Sequence, residues 1–221
     1  MDTLESINSL TRQAYNLAAQ KYHDLFHNEM KEKEYDRKLL DSFAARFNKD
    51  SIVCDAGCGP SAHIGRYLFE KGIKIIGVDI SEKCIEIAQR YNPDMSFEKA
   101  DIKDMPFDDN TFDGLISYYS IINTPKIHVN RILTEFHRVL KPSGYLLLAA
   151  KVGTIEGYIN ELLGINTKIY NALFTQDEIV NYFKEARFRI EFIDKRNPYD
   201  FEISNERIFA IGKRGDLHLK L

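Results

Sequence analysis

Three aspartates fall at or just after the ends of three successive strand-like runs, and each could hold part of a ligand. Asp55 opens the run Asp55-Ala56-Gly57-Cys58-Gly59-Pro60-Ser61-Ala62, between a strand and a helix. Gly57 and Gly59 permit positive φ and let the backbone approach a ligand closely at a strand's carboxyl end. Asp79 ends the next strand, where a carboxylate can accept hydrogen bonds from both hydroxyls of a ribose. Asp101 follows the third, where it can accept from the exocyclic amine of an adenine while Ile102 supplies backbone polarity. Asp55 can orient the glycine loop or reach an ammonium group. Three carboxylates so placed suit a ligand with a ribose, an adenine and a positive charge. A pyrophosphate would be repelled by Asp55. The spacing Gly57-x-Gly59-x-x-Ala62, with an acid about twenty residues later, nevertheless fits the dinucleotide fingerprint too. An NAD(P)-dependent oxidoreductase therefore stays open at this point.

Other reactive side chains are less distinctive. His63 opens the helix after the glycine loop and is a candidate base, although a histidine there more often faces solvent. His128 and His137 fall on a later helix and read as surface or edge residues. Cys54 and Cys58 are spaced C-x3-C, but no second pair completes a zinc set, so no metal site is expected.

The elements that must position these residues alternate. Leu10, Ala14, Leu17, Ala18, Tyr22, Leu25 and Phe26 form one stripe at helical spacing. The charged stretch Lys31 to Lys38 reads as a solvated helix face, and Leu39, Leu40, Phe43, Ala44 and Phe47 resume the period. From Ser51, strands at 51–55, 74–79, 95–99, 112–118 and 145–151 are separated by helices at 63–71, 81–91 and 125–140. Such alternation implies parallel βαβ units with helices on both faces. Only about ten polar residues separate the strand-like segments 187–195 and 206–213, too few for a comfortable crossover helix, so these two should pair antiparallel. The expectation is an α/β doubly wound sheet with a terminal antiparallel hairpin. Residues 154–174 carry more apolar surface than a bare loop needs, fitting a lid over an apolar substrate pocket.

Composition narrows the function class. Thirty Lys+Arg against thirty-three Asp+Glu leave a net charge of −3, with no basic field for a phosphate backbone. No apolar run reaches the roughly 20 residues of a membrane span. The first nine residues lack the basic region of a signal peptide, and three cysteines without framework spacing suit reduced thiols. A cytoplasmic protein of one domain is expected, with no nucleic-acid or membrane partner, as a monomer or homodimer.

Five motifs in order sharpen this. They are Val53-Cys54-Asp55-Ala56-Gly57-Cys58-Gly59, Gly77-Val78-Asp79-Ile80-Ser81, Ala100-Asp101-Ile102, Phe107-x4-Phe112-Asp113 and Glu135-x2-Arg138-Val139-Leu140-Lys141-Pro142-x-Gly144. Over about Tyr15 to Lys213 the sequence resembles class I S-adenosylmethionine-dependent methyltransferases, closest to the type 11 small-molecule group with its quinone-biosynthesis relatives. The resemblance implies a Rossmann-like seven-stranded sheet of order 3-2-1-4-5-7-6, strand 7 antiparallel, under a helical N-terminal lid. Residues 1–48 would be the cap, 51–151 the cofactor-binding core, 152–174 the lid or substrate insertion, and 175–213 the C-terminal helix and hairpin.

The resemblance also assigns roles. Ala56, Gly57 and Gly59 would face the methionine moiety, Asp79 the ribose, Ile80 the adenine face, and Asp101 with Ile102 the adenine edge. Ser117 and Tyr118 would approach the sulfonium and the transferred methyl. Tyr15 and Tyr22, in Tyr-x3-Ala-x2-Tyr, would fold over the cofactor. A tyrosine face near a sulfonium can add cation–π attraction of ~1 kcal/mol, which makes Tyr118 and Tyr119 candidates for the reaction centre. Ser117-Tyr118-Tyr119-Ser120 lacks the prolines of nucleic-acid amino-methyltransferases, which favours a small-molecule acceptor. Pro60 replaces a common third glycine, and Ala186-Arg187-Phe188 stands where a Gly-Phe turn is usual. A catalytically inactive cofactor-binding partner subunit would carry the same residues.

Overall fold

The computed structural model describes residues 3–215. Helix α1 (Leu4–Phe26) starts at Thr3, whose side chain accepts from the Ser6 amide, and α2 (Glu34–Ala44) follows a short 3-10 turn. The alternating region is β1 (Ile52–Ala56), α3 (His63–Phe69), β2 (Lys74–Asp79), α4 (Glu82–Tyr91), β3 (Ser96–Lys99), β4 (Phe112–Tyr118), α5 (Val129–Val139) and β5 (Leu140–Lys151). A hairpin of β6 (Glu156–Leu162) and β7 (Ile165–Ala172) comes next. The chain then runs through α6 (Gln176–Glu185), β8 (Phe188–Arg196) and β9 (Arg207–Arg214).

One seven-stranded sheet has the order β3-β2-β1-β4-β5-β9-β8. Strands β1 to β5 run parallel, and β9 lies antiparallel between β5 and β8. Because β6 and β7 pair only with each other, β8 and β9 are the sixth and seventh strands of the main sheet, giving the expected order. The central strands bury both faces, as period-2 alternation requires. On β5 and β9, Leu146, Leu148, Ile208 and Ala210 face the α5–α6 layer with Phe136 and Phe183. Leu147, Ala149, Phe209 and Ile211 face the α2–α3 layer with Phe43 and Leu68. At the irregular entry to β8, Arg187 adopts φ 62°, the left-handed conformation that a glycine takes without strain.

Two expectations change. The α1 stripe is buried only in part: Ala14 and Ala18 face inward together with Ile7, Ala19 and His23, while Leu17 and Leu25 are 63% and 55% exposed. Small residues let α1 lie close against α4 and β7, and that close approach outweighs burying leucines. The stretch 31–38 is not simply a solvated face either, because Lys33 and Asp36 are buried among charged partners from β8 and the β8–β9 loop. Local periodicity cannot reveal counter-charges 160 residues away.

Candidate functional site

A cavity of ≈ 500 Å³ opens beyond the carboxyl ends of β1, β2 and β4, under α1 and the β6–β7 hairpin. The glycine loop forms part of its floor. The amides of Gly57 and Cys58 both donate to the Val78 carbonyl, at 2.7 and 2.9 Å, tying the loop to β2. Gly57 has φ 83°, and a Cβ there would sit 2.3 Å from that of Ser120, so only glycine fits.

Asp79 closes this floor. The Gly59 amide donates to its Oδ2 at 3.0 Å and the Ser81 amide to its Oδ1 at 2.9 Å. Burial pushes its pKa up to about 6, against the pull of those amides. Asp79 lines the cavity, with Ile80 beside it and Ile102 also on the wall. Asp101 lines the same space. The Lys103 ammonium pairs with it at 2.8 Å, and the Asn8 side-chain amide of α1 donates to its other oxygen.

Asp55 lies beneath the loop rather than on the wall. It accepts from the Gly65 amide at 3.0 Å, and burial lifts its pKa to about 6. It is thus positioned to orient the loop. Ala56 and Ser117 are also fully buried and do not line the cavity. The Ser117 hydroxyl is 2.6 Å from that of Ser120, which supports the loop from below. His63 lies outside the cavity with Nε2 2.8 Å from Glu29, so the candidate base does not face the site.

Tyr15 and Tyr22 of α1 reach the cavity, their ring centroids 6.3 Å apart. The Tyr15 hydroxyl donates to Asn123 at 2.9 Å, and the Asn123 amide donates to the Tyr170 carbonyl at 2.8 Å, linking α1 to β7. Asn16 accepts from the Ser81 hydroxyl at 2.6 Å. These asparagines were invisible to apolar periodicity. Asn8 and Asn16 lie two turns plus one residue apart, flanking Tyr15, and a polar stripe at that spacing was the available signal.

The far end is ionic. The Tyr118 hydroxyl donates to Asp36 at 2.6 Å, and Arg196 pairs with Asp36 at 2.9 Å and Glu202 at 2.6 Å. Lys33 bridges Glu29 and Glu202, both at 2.9 Å. Burial opposes ionisation of Glu202, yet donation from Arg196 and Lys33 holds its pKa down at about 2. The Tyr118 ring lines the cavity, but its hydroxyl is committed to Asp36 and raised by burial, which makes it a wall and not a base. Tyr119 also lines the cavity, in the left-handed region at φ 60°.

Comparison with known proteins fits this geometry. Residues 54–148 match the family model described as a methyltransferase domain. Demethylmenaquinone methyltransferase of Symbiobacterium thermophilum is 40% identical over 77 residues, covering 32% of this chain and 30% of that protein. Sterol 24-C-methyltransferase of Saccharomyces cerevisiae is 30% identical over 112 residues, covering 47% and 28%. The match spans about a third of the length of these curated relatives. Among solved structures, the 1,6-didemethyltoxoflavin-N1-methyltransferase of Burkholderia thailandensis, crystallised with 1,6-didemethyltoxoflavin and S-adenosylhomocysteine, superimposes with TM-score 0.75. It covers 98% of this chain and 92% of its own, and at 16% identity the likeness is one of fold.

Proposed function

We propose that this chain, whose residues 54–148 match a methyltransferase-domain model, transfers a methyl group from S-adenosylmethionine to a small molecule. The observation that carries this reading is the Asp79 carboxylate. Backbone amides fix both its oxygens, and it sits at the end of β2 beside a glycine loop on which only Gly57 fits. The residues present suit the cofactor. Asp79 would hold the ribose, Ile80 the adenine face, Asp101 with Ile102 its edge, and Gly57 and Gly59 the methionine moiety. Tyr15 and Tyr22 would cover it. The cofactor's sulfonium supplies an activated methyl on a good leaving group.

The chain's own contribution is then positioning. Orienting donor and acceptor can supply ~7–11 kcal/mol of barrier reduction. Tyr118 and Tyr119 form the wall between the loop and the ionic end, where an acceptor would lie. Helix α1 and the β6–β7 hairpin exclude water from that space. In this reading residues 1–48 are the cap and 152–174 the acceptor-side lid. Among the described residues no helix is long and apolar enough to cross a membrane. Calorimetry with S-adenosylhomocysteine tests the proposal. The wild-type chain should bind it, and Asp79→Ala should weaken binding by about 1.5–3 kcal/mol, the scale of hydrogen bonds to a charged group. Unchanged affinity in the folded variant would refute the assignment.

A further inference from the structure

The ionic end of the cavity holds four cations close to three carboxylates, and Glu161 of the hairpin lines the same cavity. Lys33, Lys151, Arg196 and Arg207 face Glu29, Asp36 and Glu202. Glu202 already receives Arg196 at 2.6 Å, Lys33 at 2.9 Å and the Tyr199 amide at 3.0 Å, and Arg207 stands 3.7 Å away. Among the described residues, none pairs with or accepts a hydrogen bond from the Lys151 ammonium. Lys151 ends β5 directly opposite Arg207 of β9, a like-charge cross-strand pair that is unfavourable unless an anion lies between or beside them. Burial, with Arg207 next in effect, lowers the Lys151 pKa to about 8.

A second polar group nearby is also unsatisfied. The Tyr119 hydroxyl is buried without a hydrogen-bond partner. Its backbone amide donates to the Ala149 carbonyl at 2.9 Å, so Tyr119 sits beside residue 149, and Lys151 projects from the same face of β5 two residues on. Both residues line the cavity, the Tyr119 hydroxyl itself being buried. Next to them the wall turns apolar, with Ile159, Leu162 and Ile169 from the β6–β7 hairpin and Ile203 from the β8–β9 loop.

We infer that the Lys151–Tyr119 corner is a subsite for a carboxylate on the methyl acceptor, whose apolar body lies against the β6–β7 hairpin. The Lys151 ammonium would donate to the carboxylate, with the Tyr119 phenol behind it, and the anion would offset the like-charge pair of Lys151 with Arg207. This inference rests on the methyltransferase reading of the Asp79 end, and it adds an acidic, amphipathic substrate class to it.

The test uses cinnamate and cinnamyl alcohol, which share a skeleton and differ in charge, titrated calorimetrically into protein saturated with S-adenosylhomocysteine. Wild type should bind cinnamate at least tenfold more tightly than the alcohol. The preference should fall below threefold in Lys151→Met, weaken in Tyr119→Phe, and survive in Lys151→Arg, which keeps the charge. Cinnamate binding no tighter than the alcohol, including failure of both to bind at millimolar concentration, would overturn the subsite, as would a preference that survives Lys151→Met. Repeating the titrations without S-adenosylhomocysteine separates the two readings. A chain that ignores S-adenosylhomocysteine but selects cinnamate through Lys151 refutes the methyltransferase reading and supports the subsite. The converse pattern does the reverse.

Discussion

Asp79 does two things that conflict at low pH. Its carboxylate must be ionised to accept from ribose hydroxyls, yet burial raises its pKa to about 6 in the free chain. Below that value it takes up a proton, so ligand binding must first remove one. The affinity for S-adenosylhomocysteine should therefore hold from pH 7.5 to about 6 and fall roughly tenfold for each further pH unit. The ligand's own amine and carboxyl groups do not titrate in that window. Calorimetry at pH 5 and 7.5 measures this directly, and Asp79→Asn should bind weakly with little pH dependence. A flat wild-type profile would mean that Asp79 is not the acceptor. Asp79, Gly57 and Gly59 were legible in the sequence because a glycine loop and the next strand end are local features. Lys151, Arg207 and Glu202 were not, since their meaning depends on charges brought together from β5, β9 and the loop before it.

Helix α1 is attached to the domain by polar contacts as much as by apolar ones. Asn8 meets Asp101, Asn16 meets Ser81, and Tyr15 meets Asn123, all at the rim of the cavity. The two large apolar clusters on either face of the sheet contain no α1 residue. Removing residues 1–26 should therefore leave the sheet folded, with its far-ultraviolet dichroism and cooperative unfolding intact. Affinity for S-adenosylhomocysteine should drop at least tenfold, because Tyr15, Tyr22 and Asn8 leave the wall. Full affinity in the truncated chain would show that α1 is no lid. Residues 154–174 were expected as a lid from their apolar content, and their hairpin form was missed. Its turn is Leu163-Gly164, both at positive φ, 54° and 74°. That is the conformation two-residue hairpin loops prefer, but a leucine in the first position hides it from turn chemistry.

At the scale of the whole molecule, alternating strands and helices made the doubly wound class readable, while the strand order came with the family resemblance. The interior electrostatics were not readable, and they shape stability. Asp55 is 2% exposed, accepts a hydrogen bond from the Gly65 amide, and has a pKa raised to about 6. The unfolded chain releases that proton near pH 4. Between about pH 4 and 6 the folded state thus holds a proton that the unfolded state does not, and stability from this group falls as pH rises through the window. The wild-type profile alone cannot isolate the effect, because buried His23 and half-buried His137 have lowered pKa values and work in the opposite sense as pH drops. Asp55→Asn removes the titration while keeping an oxygen that can accept from Gly65. Chemical denaturation of both proteins without ligand should show the variant gaining on wild type by about 1–2 kcal/mol between pH 5 and 7.5, since one pKa unit corresponds to about 1.4 kcal/mol. The histidine contributions cancel in that difference. Curves that run parallel across the range would show that Asp55 is ionised in the folded chain throughout, and that the loop is held by a buried charge rather than by a neutral acid.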